Sequence, residues 1–157
     1  LMPPVIAALH RTRPDLRFYM REGIPDLQAM ELTKGSIDML LGPLPIEGDN
    51  LQIEPLFREP LILVAPPDHP LAARDYEGTS LDSVRQMVAS GLGLAILPEL
   101  YVRSELNRGG DVALLDVEGW SATRSIGAAW RTNAGFAQEY AAIAEKIAEE
   151  ARVLMSA

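Results

Sequence analysis

TSLDSVRQMVASGLGLAILPE, Thr79–Glu99, reads as one helix joined to one strand by a very short turn. Thr79 and Asp82 form a T-x-x-D pattern, in which a hydroxyl and a carboxylate satisfy free N–H groups at a helix start. Leu81, Val84 and Val88 recur at helical spacing, with Met87 flanking them, and make one apolar stripe. Gly91 suits a left-handed stop, since it has no Cβ to clash. Gly93 allows a tight entry into Leu94–Leu97, an apolar run that reads as a buried strand, and Pro98 closes it. A helix feeding a fully apolar strand is the unit of a sheet covered by helices, so the fold class is α/β. The helix start, with free amides and two hydroxyls, suits an anion or a polar small molecule. Thr79 and Ser80 equally suit a plain capping role.

The flanks extend this pattern. Pro3 and Pro4 fit the first turn of a helix with Val5, Ile6 and Leu9 on its apolar face, ended by Pro14. Leu16–Arg21 alternates, with Leu16, Phe18 and Met20 opposite Arg17, Tyr19 and Arg21, as a half-exposed strand does. Glu22-Gly23 makes a turn, Pro25 opens a second helix carrying Leu27 and Met30, Gly35 closes it, and Ile37–Leu41 is a second strand. Strand, helix and strand in this order predict parallel strands joined by a right-handed crossover. Pro43-Leu44-Pro45 and Gly48-Asp49-Asn50 make a loop of strong breakers, and Leu61–Ala65 is the next buried strand. Tyr101–Leu106 reads as a short helix ended by Asn107–Gly110. Val112–Val117 and Ser125–Trp130 read as strands on either side of Trp120. A long last helix places Phe136, Tyr140, Ile143, Ile147 and Leu154 on one face.

Composition narrows the function. The chain has 157 residues, enough for one ordinary domain or two small lobes, and is 48% hydrophobic. No apolar run reaches the roughly 18 residues of a membrane span, and no basic leader precedes an apolar core. The absence of cysteine excludes disulfides, thiolate metal sites and cysteine nucleophiles in these residues. With 14 basic and 22 acidic residues the net charge is −8, which repels a phosphate backbone, so the chain by itself is expected not to bind DNA.

Ser80, Ser83, His69 and Asp82 supply the residue types of a hydrolytic triad, but no G-x-S-x-G elbow holds them, and no enzyme is expected. His10 and His69 are far apart without an H-x-x-x-H pattern, so no metal site is expected. Gly91-x-Gly93 lacks a third glycine and follows a helix, so it is no dinucleotide fingerprint and no cofactor is expected. Binding fares better. Ligands of open α/β sheets sit beyond the carboxyl ends of strands. That rule groups Glu22, Gly23, Ile24 and Pro25 with Pro43, Leu44 and Pro45, and with Thr79 and Ser80, around one cleft between two lobes. For Pro25, helix initiation is the plain alternative.

Three blocks in order carry a family resemblance: Gly35-Ser36-Ile37-Asp38-Met39-Leu40-Leu41, then Pro55–Leu61 with Val64–Ala72, then T-S-L-x-x-V-R-x-M-V-A-x-G-x-G-x-x-x-L-P from Thr79. The chain resembles the regulatory domain of LysR-type transcriptional regulators, closest to the peroxide-sensing OxyR branch. The resemblance implies a two-lobe, type II periplasmic-binding-protein-like fold, with Rossmann-like lobes joined by two crossover segments. Lobe I takes residues 1–57 and 131–157, and lobe II takes 58–130, the chain crossing near Arg58 and Arg131. It implies a longer crossover where only the nine residues Leu71–Thr79 stand, because a parallel pair needs about a dozen, so that either two sequence pieces are joined across a missing segment near residues 73–74, the favoured reading, or the segment is truly deleted. The branch's redox cysteine belongs to that segment near residues 73–74. It further implies a first strand before Leu1, and a winged helix-turn-helix, absent from this chain, through which alone DNA is bound. The expected partners are a small effector or oxidant and a second copy of the chain. Regulatory domains pair as a homodimer, through the first helix and Leu16–Arg21 against Ser80–Ala89 and Leu94–Leu97, and the full-length protein is a cytoplasmic tetramer. Pro25 departs from the branch, which often has a threonine nearby, so no peroxide-binding hydroxyl carries over. A periplasmic solute-binding protein for a small anion is the alternative.

Overall fold

The computed structural model describes residues 2–67, 80–105 and 111–156. Among the described residues five helices and five strands follow in the order α1 (Met2–Thr12), α2 (Pro25–Lys34), β1 (Met39–Pro43), β2 (Leu51–Ala65), α3 (Leu81–Ala89), β3 (Ala95–Pro98), α4 (Glu99–Glu105), β4 (Ala113–Leu115), β5 (Thr123–Arg131) and α5 (Ala137–Ser156). They form two units, one of Leu1–Arg58 with Arg124–Ala157 and one of Glu59–Thr123. The chain passes between them within β2 and at the start of β5. The second passage precedes Arg131 because β5 is bound along its length into the first unit, with Met39↔Trp130 through Pro43↔Ile126 in antiparallel register with β1.

In the first unit α1 and α5 cover one apolar cluster. Val5 and Leu9 meet Ile143 and Ile147, while Leu16, Phe18 and Leu41 pack around them. A second cluster joins α2 to the strands through Ala29, Leu32, Leu40, Ile46 and Ala129, with Leu44 packed against it. Trp130 is buried beside Ala128 and Ala144 and lies tilted on Tyr140, the ring centroids 6.4 Å apart. In the second unit β3 and β4 both pair antiparallel with the end of β2, as Leu61↔Pro98 and Leu63↔Leu115. Val64, Val88, Leu97 and Val102 fill that core. Trp120 donates its indole N–H to Leu61 O at 2.6 Å, and Leu61 N–H bonds Ala122 O, so the approach to β5 is fastened to β2.

Several local expectations change. Leu16–Arg21 is no strand. Its alternation survives only in part, with Leu16 and Phe18 on the core and Tyr19 91% exposed but Met20 also exposed, at 59%, and no ladder forms among the described residues. Alternation sets which side chains face inward; a strand also needs a neighbour to take its N–H and C=O groups. The parallel crossover built on that strand falls with it, since β1, β2, β3, β4 and β5 pair antiparallel where their registers are described. Leu51–Arg58 is strand as well, despite Pro55 and Pro60, both exposed, since pairing with neighbours overrides local preference. Phe136 is 64% exposed and precedes α5 instead of joining its buried face.

Candidate functional site

Residues Glu22, Gly23, Ile24 and Pro25 of the first unit are all exposed. They form the approach to α2. Ile24 is its N-cap, extended at φ −73° and ψ 128°, with no side-chain cap bond, and Pro25 is the first helical residue. Its ring sets the helical φ and lacks an N–H that would be unpaired there in any case. Gln28 Nε2 donates to Arg21 O at 3.2 Å and Arg21 pairs with Glu31, which folds the turn back on the helix it opens. At the other end Gly35 is left-handed, at φ 81°. Its N–H and that of Ser36 close on Leu32 O and Glu31 O, the paired bonds of a Schellman stop. Arg131 then donates from Nη1 to Leu32 O at 2.8 Å and to Ile37 O at 2.7 Å, with Asp38 3.4 Å away. It is a fork across the helix end and the start of the next loop, and a cation there opposes the negative end of the helix dipole. Sequence reasoning used Arg131 only as a boundary. A lone arginine ending an apolar strand carried no local sign of that role.

Pro43 ends β1, and Leu44 and Pro45 follow it directly. Leu44 N–H bonds Ser125 O at 2.9 Å, and the Leu44–Pro45 peptide is cis. Leu44 packs on the cluster that holds Ala29 and Leu32 of α2, so the 43–45 corner and the helix that opens at Pro25 share one core. Gly127 makes room for it: a Cβ there would lie 2.6 Å from Leu44 Cδ2 and 3.1 Å from Glu54 O.

In the second unit Thr79 lies outside the described residues, as do His69 and the 71–79 crossover. Ser80 is the N-cap of α3, at φ −130° and ψ 136°, and its hydroxyl makes no cap bond. Its carbonyl accepts Val84 N–H at 3.0 Å. Asp82 does not reach back toward the helix start. It accepts from Arg85 Nε at 3.1 Å, Arg85 Nη2 at 2.9 Å and Gln86 Nε2 at 2.7 Å, and Tyr101 Oη is 3.4 Å away. The Arg85 hydrogen bond holds the Asp82 carboxyl below the usual aspartate range, and burial pushes the Tyr101 phenol up. Arg85 also bonds Asp111, linking α3 to the approach to β4. The Asp82 half of the T-x-x-D reading therefore gives way to an acidic first turn whose charge is spent on Arg85, while the Thr79 half lies outside the described residues and the Ser80 hydroxyl makes no cap bond. The stop at Gly91 is as read: its φ is 81°, and its N–H and that of Leu92 bond Val88 O and Met87 O.

Sequence reasoning also missed Glu59. It is 1% exposed in β2 and accepts Leu100 N–H at 3.3 Å, so a buried carboxylate meets the first turn of α4. Its one local signal was a charge just ahead of the apolar run Leu61–Ala65. Among the described residues no cluster of histidines and carboxylates is arranged to hold a metal, and no helix is long and apolar enough to cross a membrane.

Comparison with known proteins bears on both units. The LysR substrate binding domain model matches residues 1–77 and 73–152, two segments that meet where the short crossover lies. The DNA-binding transcriptional dual regulator OxyR of Escherichia coli K12 is 28% identical over 186 aligned positions, covering 94% of this chain and 61% of that protein. The chain thus spans about three-fifths of that relative's length. Among solved structures, a cysteine-to-aspartate variant of the OxyR regulatory domain of Pseudomonas aeruginosa superposes with a TM-score of 0.82 at 27% identity, over 95% of this chain and 90% of that one. A cysteine-to-serine variant of Corynebacterium glutamicum OxyR, with hydrogen peroxide bound, gives 0.78 at 25%, over 99% of this chain and 65% of that one. The fold is the type II periplasmic-binding-protein-like α/β fold of such regulatory domains. With its model matched along nearly the whole sequence, the chain belongs to the LysR substrate-binding domain family, and within it resembles the OxyR regulatory domains.

Proposed function

We propose that this chain is the signal-receiving domain of a LysR-type transcriptional regulator of the OxyR-like branch. A small effector or an oxidant shifts the balance between two states of the domain, and DNA-binding domains elsewhere in the full-length protein follow. The two units serve as its regulatory lobes. Effector contacts come from Glu22, Gly23, Ile24, Pro25, Pro43, Leu44 and Pro45 of the first unit and from Thr79 and Ser80 of the second. The observation that carries the reading is the likeness to a stand-alone OxyR regulatory domain over 90% of that chain. Ser80 supports it from the side of chemistry: its hydroxyl heads a helix without capping it, and helix starts favour anions and polar oxygens. An effector that acts must bind the two states unequally.

The chain holds no cysteine, so these residues supply no thiol to an oxidant. An oxidant signal within them is bound or relayed, not stored as a disulfide. Two copies pair through α1 and residues 16–21 of one against α3 and β3 of the other, where Leu81 and Ile96 are 40% and 50% exposed. No catalytic step is part of the proposal, and DNA is contacted only through other parts of the full-length protein.

Ser80→Ala and Thr79→Ala test the site. If the hydroxyls meet the effector, its affinity falls by about 1 kcal/mol for a lost neutral hydrogen bond. Unchanged affinity in both variants, with stability lowered by about 0.5–2 kcal/mol, leaves only a cap. The isolated chain, at net charge −8, leaves a promoter fragment unshifted at physiological salt, and retention of that fragment contradicts the reading.

A further inference from the structure

We propose that the groove between α1 and α5 binds a small amphipathic carboxylate, at a place apart from every residue assigned above to the effector, though it shares α1 and Leu16 with the face assigned above to the partner copy. The groove holds about 450 Å³, a volume typical of small-ligand sites. Leu9, Leu16 and Ile143 supply its apolar floor, and Arg11, Arg13 and Lys146 its cations, against the single acid Glu139. The charge is unusual for this molecule. The net charge is −8, yet residues 11–21 carry Arg11, Arg13, Arg17 and Arg21, four of the fourteen basic residues, with Asp15 the one acid among them.

The two arginines are loosely held, whereas Lys146 is already paired. Arg13 reaches Glu139 only at 3.9 Å, with its side chain 54% exposed. Lys146 is shared between Glu149 at 2.8 Å and Glu150 at 3.3 Å. Arg11 is exposed and has no ion-pair partner among the described residues. It stands in the last turn of α1, where the helix dipole favours a cation. A carboxylate bridging Arg11 and Arg13 gains charge-assisted, fork-shaped hydrogen bonds, while its hydrocarbon leaves water against Leu9, Leu16 and Ile143. Neither half suffices alone: an inorganic anion leaves the floor wet, and an apolar cation meets the wrong charge.

Octanoate is the probe, titrated into the isotopically labelled chain and followed by NMR, with sodium sulfate and octylammonium chloride as controls. The expected result is saturable octanoate shifts confined to residues 8–16 and 139–146, with neither control reproducing them. Arg11→Gln with Arg13→Gln weakens octanoate at least tenfold. Ala142→Trp, an exposed position on α5 that lines the groove, blocks it without touching the core. Shifts that are absent, or spread to exposed apolar residues such as Ile96 and Leu114, overturn the proposal. So do equal binding of octylammonium and octanoate binding unchanged in both variants.

Discussion

Gly127→Ala tests whether the corner at Leu44 is held by packing. Gly127 faces Leu44 across the β1–β5 pair, in register with Gly42. The added methyl would stand 2.6 Å from Leu44 Cδ2, 3.1 Å from Leu44 Cγ and 3.1 Å from Glu54 O. A leucine end can swing away; a strand carbonyl cannot, because β2 runs on through both units. Leu44 therefore yields, and it yields while its N–H remains tied to Ser125 and Pro43 and Pro45 flank it. Overpacking of this kind costs about 1–3 kcal/mol. At roughly 2–4 °C per kcal/mol for a domain of this size, Tm should fall by about 2–12 °C. Leu44→Ala removes the obstruction, so Gly127→Ala should cost less in its background, with a coupling of about 0.5–3 kcal/mol between the two positions. Differential scanning calorimetry on wild type, both single variants and the double variant reads all of this. A Gly127→Ala chain within about 0.5 kcal/mol of wild type, as for a plain surface change, or strict additivity with Leu44→Ala, refutes the packing argument and frees the 43–45 corner from β5.

Other expectations follow from single contacts. Arg131→Ala removes the fork on Leu32 O and Ile37 O and should cost about 1–3 kcal/mol in urea unfolding, while Arg131→Lys restores only part of it; a neutral Arg131→Ala would show that the Gly35 stop holds α2 alone. Asp82 has its pKa depressed chiefly by the Arg85 hydrogen bond, so its stabilisation is present above the unfolded aspartate pKa and lost as pH falls through the lower folded value. Asp82→Asn should flatten the pH dependence of stability below pH 3.8, the ordinary aspartate value, and an unchanged acid limb contradicts the pairing. Leu97→Ala empties a fully buried site of the second unit and should cost about 2–5 kcal/mol; a loss under about 1 kcal/mol would mean that this core is not close-packed. Light scattering should find a dimer, and a monomer at high micromolar concentration counts against the pairing of α1 with α3 and β3.

What was legible in the sequence had a local cause. Gly35 and Gly91 announce their helix stops because the left-handed residue after a helix favours glycine, and both adopt it. Leu81, Val84 and Val88 announce α3 by spacing, although only Val88 is fully buried within it. What was not legible depends on distant partners. The alternation from Leu16 names two inward side chains, Leu16 and Phe18, but fails at the exposed Met20, and strand character rests on a neighbour that the alternation does not encode. The reach of β2 across Pro55 and Pro60 is set by the strands beside it. The candidate site divides in the same way. Pro25 and Ser80 stand at the helix starts that their types favour, whereas the role of Asp82 was decided by Arg85, one turn on, and by Tyr101, nineteen residues away. Arg131 and Glu59 act on backbone groups far along the chain, and no local pattern points to such a bond.

Joining this chain to the winged helix-turn-helix and linker of E. coli OxyR, and measuring the promoter affinity of the chimera with and without hydrogen peroxide or a candidate effector, tests the regulatory reading most directly. A receiving domain should change the DNA affinity by 5–150-fold, the span of about 1–3 kcal/mol of coupling, and Ser80→Ala should reduce that change without altering the unliganded affinity. A chimera that binds effector with measurable affinity, yet holds its promoter equally well with and without it, contradicts the reading.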